Sequence, residues 1–172
     1  MGNGIYRLLA MATLLALVVT GCGGGSTVNV TPQNSIGGVF SAGNPVASGT
    51  VSIYAINADG SKGNLLTQVS TDSHGSYTAL IGTYSGPILM EGSGSFTDPA
   101  SGNTTVIPAS APLRAALPAA SEIVTMAVTP VTELAVREAY RLGGGVLTAT
   151  AISQANDLIG DLFKVEITTT QP

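Results

Sequence analysis

A β-sandwich followed by a pair of amphipathic helices is the fold class that this 172-residue sequence predicts. Three observations predict it. Between residues 36 and 128, short alternating runs of apolar and polar residues are interrupted about every eight to twelve positions by Gly, Pro, Asn or Asp, the rhythm of strands joined by turns. From residue 129 the apolar spacing changes to that of a helix, with a Thr-Pro start and a Gly-Gly-Gly stop. Ahead of both, residues 8–22 read LLAMATLLALVVTGC. This apolar run is led by Arg7 and is too short to span a bilayer as a stable helix, which is the layout of a secretory leader.

The leader ends in Val19, Thr20, Gly21 and Cys22. This quartet resembles a bacterial lipobox, in which a branched apolar residue and two small ones precede a cysteine that is acylated and becomes the mature N-terminus. The resemblance implies removal of residues 1–21, lipidation of Cys22 and attachment to a membrane. Each buried methylene contributes about 0.8 kcal/mol, so two or three acyl chains anchor durably where one binds marginally. Gly23 after the cysteine, rather than Asp, resembles lipoproteins passed to the outer membrane of a Gram-negative cell envelope. Simple secretion is the alternative, but it calls for an A-x-A-like site and has no use for a cysteine.

The mature part of about 150 residues suffices for one domain with a real core. Cys22 is the sole cysteine, so once it is acylated no disulfide forms and the fold rests on apolar burial. Charged residues are 9% of the chain, and without Arg7 five basic residues face ten acidic ones. Lys62, Arg114, Arg137, Arg141 and Lys164 are scattered. Nucleic-acid binding, which needs a basic footprint, is therefore excluded from the expectations.

In order, residues 22–35 read as a flexible linker rich in Gly, Ser, Thr and Asn, with an edge strand over 27–31 as the alternative. A strand over 36–40 closes on Ala42-Gly43-Asn44-Pro45. The clearest strand is Thr50–Ile56, in which Val51, Ile53 and Ala55 point one way and Ser52, Tyr54 and Ile56 the other. Asn57 to Gly60 turns the chain, and 65–70 runs back. Thr71 to Gly75 turns again, into 76–81. Further strands are expected at 88–91, at Thr104–Ile107 after a turn through Asp98-Pro99, at Leu113–Leu117, and at 123–128.

The succession VSIYA, a D-G turn, then Val69 to Tyr77 with its T-D-x-x-G-x-Y element, then Gly86-Pro87, resembles the carboxypeptidase regulatory-like, or transthyretin-like, β-sandwich. In that family the Asp and Gly make a hairpin turn and the aromatic packs back into the sandwich. Residues 128–135 and 155–163 are similar to uncharacterised proteobacterial lipoproteins that append helices to such a sandwich. The resemblance implies a sandwich over 36–128 with a helical extension over 129–172. It also implies a non-catalytic module. Such lipoproteins commonly continue past this point, so truncation of the extension at Pro172 is a further expectation.

The helices are also legible without the family. Thr129 suits an N-cap and Pro130 the first helical position. Val131, Leu134, Ala135, Ala139 and Leu142 then share one face, with Arg137 and Arg141 on the other. A second helix over 150–163 presents Ile152, Ala155, Ile159, Leu162 and Phe163. Two such helices cannot bury their stripes alone and need each other, the sandwich or a partner.

No residue set reads as catalytic. His74 is the only histidine, and Asp72, Ser73 and His74 on one tight turn cannot converge as a triad does. Asp59, Asp72 and Asp98 read as caps of their own turns, and no calcium-loop pattern joins them. Glu133 in the first helical turn complements the helix dipole. Gly82, Gly86, Gly92 and Gly94 lack the Lys-Ser/Thr of a phosphate loop and read as bulges or turns. Tyr54, Tyr77, Tyr84 and Phe96 read as core rather than as a sugar-stacking platform, given the absence of Trp. No cofactor, metal or ligand-binding residue is assigned. The sequence thus leads to a non-catalytic envelope or surface lipoprotein whose sandwich displays an interaction face, with the membrane and an envelope protein as partners. A glycan-binding accessory module is the alternative.

Overall fold

A computed structural model describes residues 33–121 and 123–167. The expectations for the leader, the lipobox residues Val19, Thr20, Gly21 and Cys22, the linker up to residue 32 and the last five residues lie outside this range.

The described residues form eight strands, then two helices: β1 (Ser35–Val39), β2 (Thr50–Ile56), β3 (Lys62–Ser70), β4 (Ser76–Leu80), β5 (Ile88–Thr97), β6 (Thr104–Ile107), β7 (Leu113–Leu117), β8 (Ile123–Thr125), α1 (Pro130–Leu142) and α2 (Ala149–Phe163). They make two sheets. One is three-stranded in the order β4-β1-β8, antiparallel at β4 and parallel at β8. The other has the order β3-β2-β5-β6, with β7 also on β5. The chain is therefore mainly β with a C-terminal helical pair.

Strand alternation sends one face of each sheet into a shared core. Ile36, Phe40, Tyr77 and Ala79 from the smaller sheet and Val51, Ile53, Met90 and Ala115 from the larger one belong to the same buried cluster. The opposite face of the larger sheet contributes Ile56, Leu89 and Ala116 to a second cluster, completed by Val136, Ala139, Leu147, Ile152 and Ala155 of the helical region. The larger sheet is thus the middle layer. Full burial of an aliphatic side chain contributes about 1.5–3 kcal/mol, so both clusters are needed where disulfides are absent.

Two glycines permit close approaches inside the main core. A Cβ on Gly38 would lie 1.9 Å from the Met126 carbonyl oxygen and 2.9 Å from the Tyr77 hydroxyl. The hydroxyl donates to that same carbonyl, so the Tyr77 ring closes over β1 only because Gly38 has no side chain. A Cβ on Gly92 would meet the Phe40 ring at 2.9 Å.

Some strands run differently from their sequence reading. β5 extends to Thr97 because its Ser/Gly-rich second half pairs with β6 at 94–97, after β7 has used 88–92. β3 begins at Lys62 and follows β2 through two register irregularities. β8 stops at Thr125, leaving a single bridge from Val128 to Phe40.

Both helical faces are corrected. The buried face of α1 is Thr132, Glu133, Ala135, Val136 and Ala139, while Leu134 and Leu142 are exposed. α1 is rotated because its polar first turn, rather than Leu134, is drawn onto β7 by Arg114. In α2, Ile152, Ala155 and Ile159 are buried as the spacing suggested, joined by Asn156 and Gly160. Leu162, 69% exposed, and Phe163 face outward. Asn156 accounts for part of this turn of the helix, since its amide donates to the Ala116 carbonyl at 3.1 Å.

Candidate functional site

The charged residues of the helix–sheet junction are committed to architecture. Thr129 caps α1 by accepting from the Thr132 N–H, and the Thr132 hydroxyl lies 2.9 Å from the Thr129 N, closing a reciprocal capping box. Glu133 follows directly and is 7% exposed. Its carboxylate accepts from the backbone N–H and Nε of Arg114 at 3.0 and 2.9 Å, from Arg114 Nη2 at 2.7 Å and from Arg137 Nε at 2.7 Å. Burial alone would raise its pKa, but the hydrogen bonds and charges of the two arginines outweigh it and hold Glu133 below the usual carboxylate range. Arg114 also lies 5.6 Å from the centre of the Tyr140 ring. Glu133 is therefore a junction anchor, a role beyond the dipole complement read from its position in the helix.

The other titratable candidates serve their own loops. Asp59 accepts from the Ser61 N–H and hydroxyl, Asp72 from the N–H groups of His74 and Ser76, and Asp98 from the Ala100 N–H and the Ser101 hydroxyl. These bonds lower all three pKa values. His74 sits exposed on the turn between β3 and β4. Among the described residues, no group of three or more His, Cys, Asp or Glu side chains is placed to hold a metal ion. Gly82 adopts a left-handed φ of 66°, whereas Gly86 and Gly92 sit against Tyr84 and Phe40 respectively.

The aromatics do not form an open platform. Tyr77 is buried, which pushes its phenol pKa upward. The Tyr84 hydroxyl donates to the Pro87 carbonyl at 2.8 Å, and Phe96 packs against the core. Tyr54 lies on the helix-side face of the larger sheet, and Lys62 Nζ stands 4.1 Å over its ring centre and also pairs with Glu91.

Besides charged residues such as Arg137, Arg141, Asp157 and Asp161, the helical pair leaves large apolar residues uncovered. Leu158 and Leu162, one turn apart on α2, are exposed together with Phe163, and Leu134 and Leu142 are exposed on α1. Beside this ridge, α2 ends at Lys164, whose φ of 58° is left-handed. The Val165 N–H then returns to the Gly160 carbonyl at 3.0 Å, and Ile167 is buried in the main core. This reversal leaves a groove of about 740 Å3 lined by Asn156, Asp157, Asp161, Lys164 and Glu166 among others. Three of these five are acids, so the groove beside the ridge is predominantly negative. Sequence spacing grouped Leu162 and Phe163 with Ile152, Ala155 and Ile159 on one stripe in need of a cover, and the structure separates the exposed pair from the buried three.

No family model matches the chain, and no curated protein matches it. Among solved structures, it is similar over 57% of its length to a 9R-lipoxygenase from Cyanothece, with 7% identity and a TM-score of 0.34. Over 58% of its length it is similar to an (S)-allantoin synthase, with 16% identity and a TM-score of 0.35. The aligned regions are 16% and 42% of those chains, and likeness at this level assigns no activity. Among the described residues, no helix is long and apolar enough to cross a membrane.

Proposed function

We propose that this chain is a non-catalytic lipoprotein of a Gram-negative cell envelope, anchored through Cys22, whose transthyretin-like sandwich carries the helical pair as an interaction surface for another envelope protein. The observation that carries the interaction surface is the contrast between polar and apolar groups on the helices. Glu133, Arg114 and Arg137 are tied into the helix–sheet junction, whereas Leu158, Leu162 and Phe163 stand in solvent. Exposed apolar ridges of this kind favour association with a partner, and the neighbouring acids suit a basic one. The T-D-x-x-G-x-Y hairpin supports the transthyretin-like reading. The anchor rests on Val19 to Cys22 and the apolar run before them.

The disposition of the aromatics weighs for this reading against glycan binding. Stacking on a sugar needs an open ring face, and the Tyr54 ring has Lys62 over it.

Fractionation together with site-specific photocrosslinking in intact cells tests both parts. Wild-type protein is expected in the membrane pellet and Cys22→Ser in the soluble fraction, with a photoreactive residue at Leu162 giving one discrete adduct and the same residue at Leu65 giving none. Retention of Cys22→Ser in the pellet overturns the anchor. An adduct-free Leu162 position overturns the interaction surface.

A further inference from the structure

The outer face of the smaller sheet has an apolar rim at one end. Ser35 in central β1 is paired with Leu80 of β4 on one side and with Ile123 of β8 on the other. Directly paired residues share a sheet face, and their chain neighbours Ile36, Ala79 and Val124 belong to the core or pack on it. Leu80, Ser35 and Ile123 therefore point outward in one row. Leu80 is 59% exposed and Ile123 84%, the highest exposure of any large apolar residue described. Two strand spacings separate them, about 10 Å. The next outward row is Thr78, Gly37 and Thr125, so the apolar character is confined to the rim. None of the three strands contains a charged residue, although the chain as a whole is acidic.

This rim lies where the chain enters the fold. Asn34 donates from its backbone to Gly82 at 2.7 Å, accepts from Ile81 at 3.0 Å, and donates from its side-chain amide to the Tyr84 and Ala120 carbonyls at 2.9 and 3.3 Å. The entry point is thus fixed beside the row. Ser35 follows Cys22 by thirteen positions, and such a segment reaches at most about 45 Å whatever its conformation.

We propose that Leu80 and Ile123 form a membrane-contacting rim, seated in the interfacial region of the bilayer that holds the acyl chains of Cys22. This rests on the lipid-anchor reading above. The occupant is a lipid surface rather than a protein because the apolar residues bracket the point of entry from the anchor. A domain held with this rim down has a preferred orientation and presents its other faces away from the lipid.

The chain contains no Trp, so single-Trp variants report their own surroundings. Full-length lipidated Ile123→Trp, Leu80→Trp and Leu65→Trp are reconstituted in vesicles of phosphatidylethanolamine and phosphatidylglycerol, with and without brominated acyl chains, and vesicle flotation is measured on the same samples. Leu65, an exposed residue of β3 in the other sheet, is the control. The expected result is that all three proteins float and that bromine quenches Ile123→Trp and Leu80→Trp several-fold more than Leu65→Trp. Flotation with equal, weak quenching at all three positions overturns the rim while leaving the anchor intact. A blue-shifted, unquenched Ile123→Trp means that a second copy covers the row, which also overturns it. Failure of the lipidated protein to float removes the anchor reading and the rim with it.

Discussion

Arg114 and Glu133 meet as a two-point fork, Nε to Oε2 at 2.9 Å and Nη2 to Oε1 at 2.7 Å, and this fork sets the rotation of α1 on the larger sheet. Arg114 Nη2 reaches Oε1 at 2.7 Å from the sheet side, and Arg137 Nε reaches the same oxygen at 2.7 Å from the helix. The arginines are not equivalent, because the Arg114 side chain is 26% exposed and that of Arg137 70%.

Arg114→Ala is accordingly expected to destabilise the domain by about 2–3 kcal/mol, since it strips the buried side of the Glu133 carboxylate. Arg137→Ala is expected to cost less than about 1 kcal/mol. Urea midpoints at unchanged m-value measure both. Equal effects would show that the fork does not carry the junction.

The same carboxylate gives a pH dependence with a definite sign. Its folded pKa lies below the unfolded one, so its stabilisation is complete above the unfolded value of about 4.3 and is lost as pH falls through the lower folded value. Glu133→Gln is expected to flatten the acid limb of the stability curve below about pH 4. Asp59, Asp72 and Asp98, whose pKa values are also lowered, leave a residual slope. An acid limb identical to that of the wild type would remove Glu133 from this account.

At Gly38 the constraint is steric. Gly38→Ala places a methyl group on the Met126 carbonyl, and soluble, folded protein is not expected from it. Tyr77→Phe keeps the ring but loses the hydroxyl donor, with an expected cost of about 1 kcal/mol. Thermal melts of the two variants separate the roles, and a Gly38→Ala protein as stable as Tyr77→Phe contradicts the close approach.

The helical faces yield a paired comparison. Ile152→Ala, in the second core, is expected to cost about 2–4 kcal/mol. Leu162→Ser, at an exposed position, should change stability by no more than about 0.5 kcal/mol. Lys164→Gly should add about 0.5–1 kcal/mol, because the left-handed C-cap suits glycine better than lysine. A large loss at Leu162 would restore the face suggested by spacing alone.

Much of the fold was legible because its signals are local. Thr129-Pro130 marks the start of α1, Gly143 its stop, and the Asp-Gly turns separate the early strands at the expected places. The strands Thr50–Ile56, Thr104–Ile107 and Leu113–Leu117 carry the expected limits. The errors arose where a distant partner decides. Helical spacing puts Leu134 and Leu162 on the same stripes as the buried residues, but Arg114, nineteen residues from Glu133, and Asn156, forty from Ala116, turn the helices to satisfy polar groups that periodicity ignores. The exposed ridge follows from those rotations, and the rim at Leu80 and Ile123 from sheet register, neither of which a single strand or helix encodes.

The most direct measurement of the central claim is the intact mass of the protein extracted from membranes of its host. A chain beginning at Cys22 and carrying two or three acyl groups is the result that the lipid-anchored account predicts. A chain with an unmodified Cys22, retained or cleaved at another position, would contradict it.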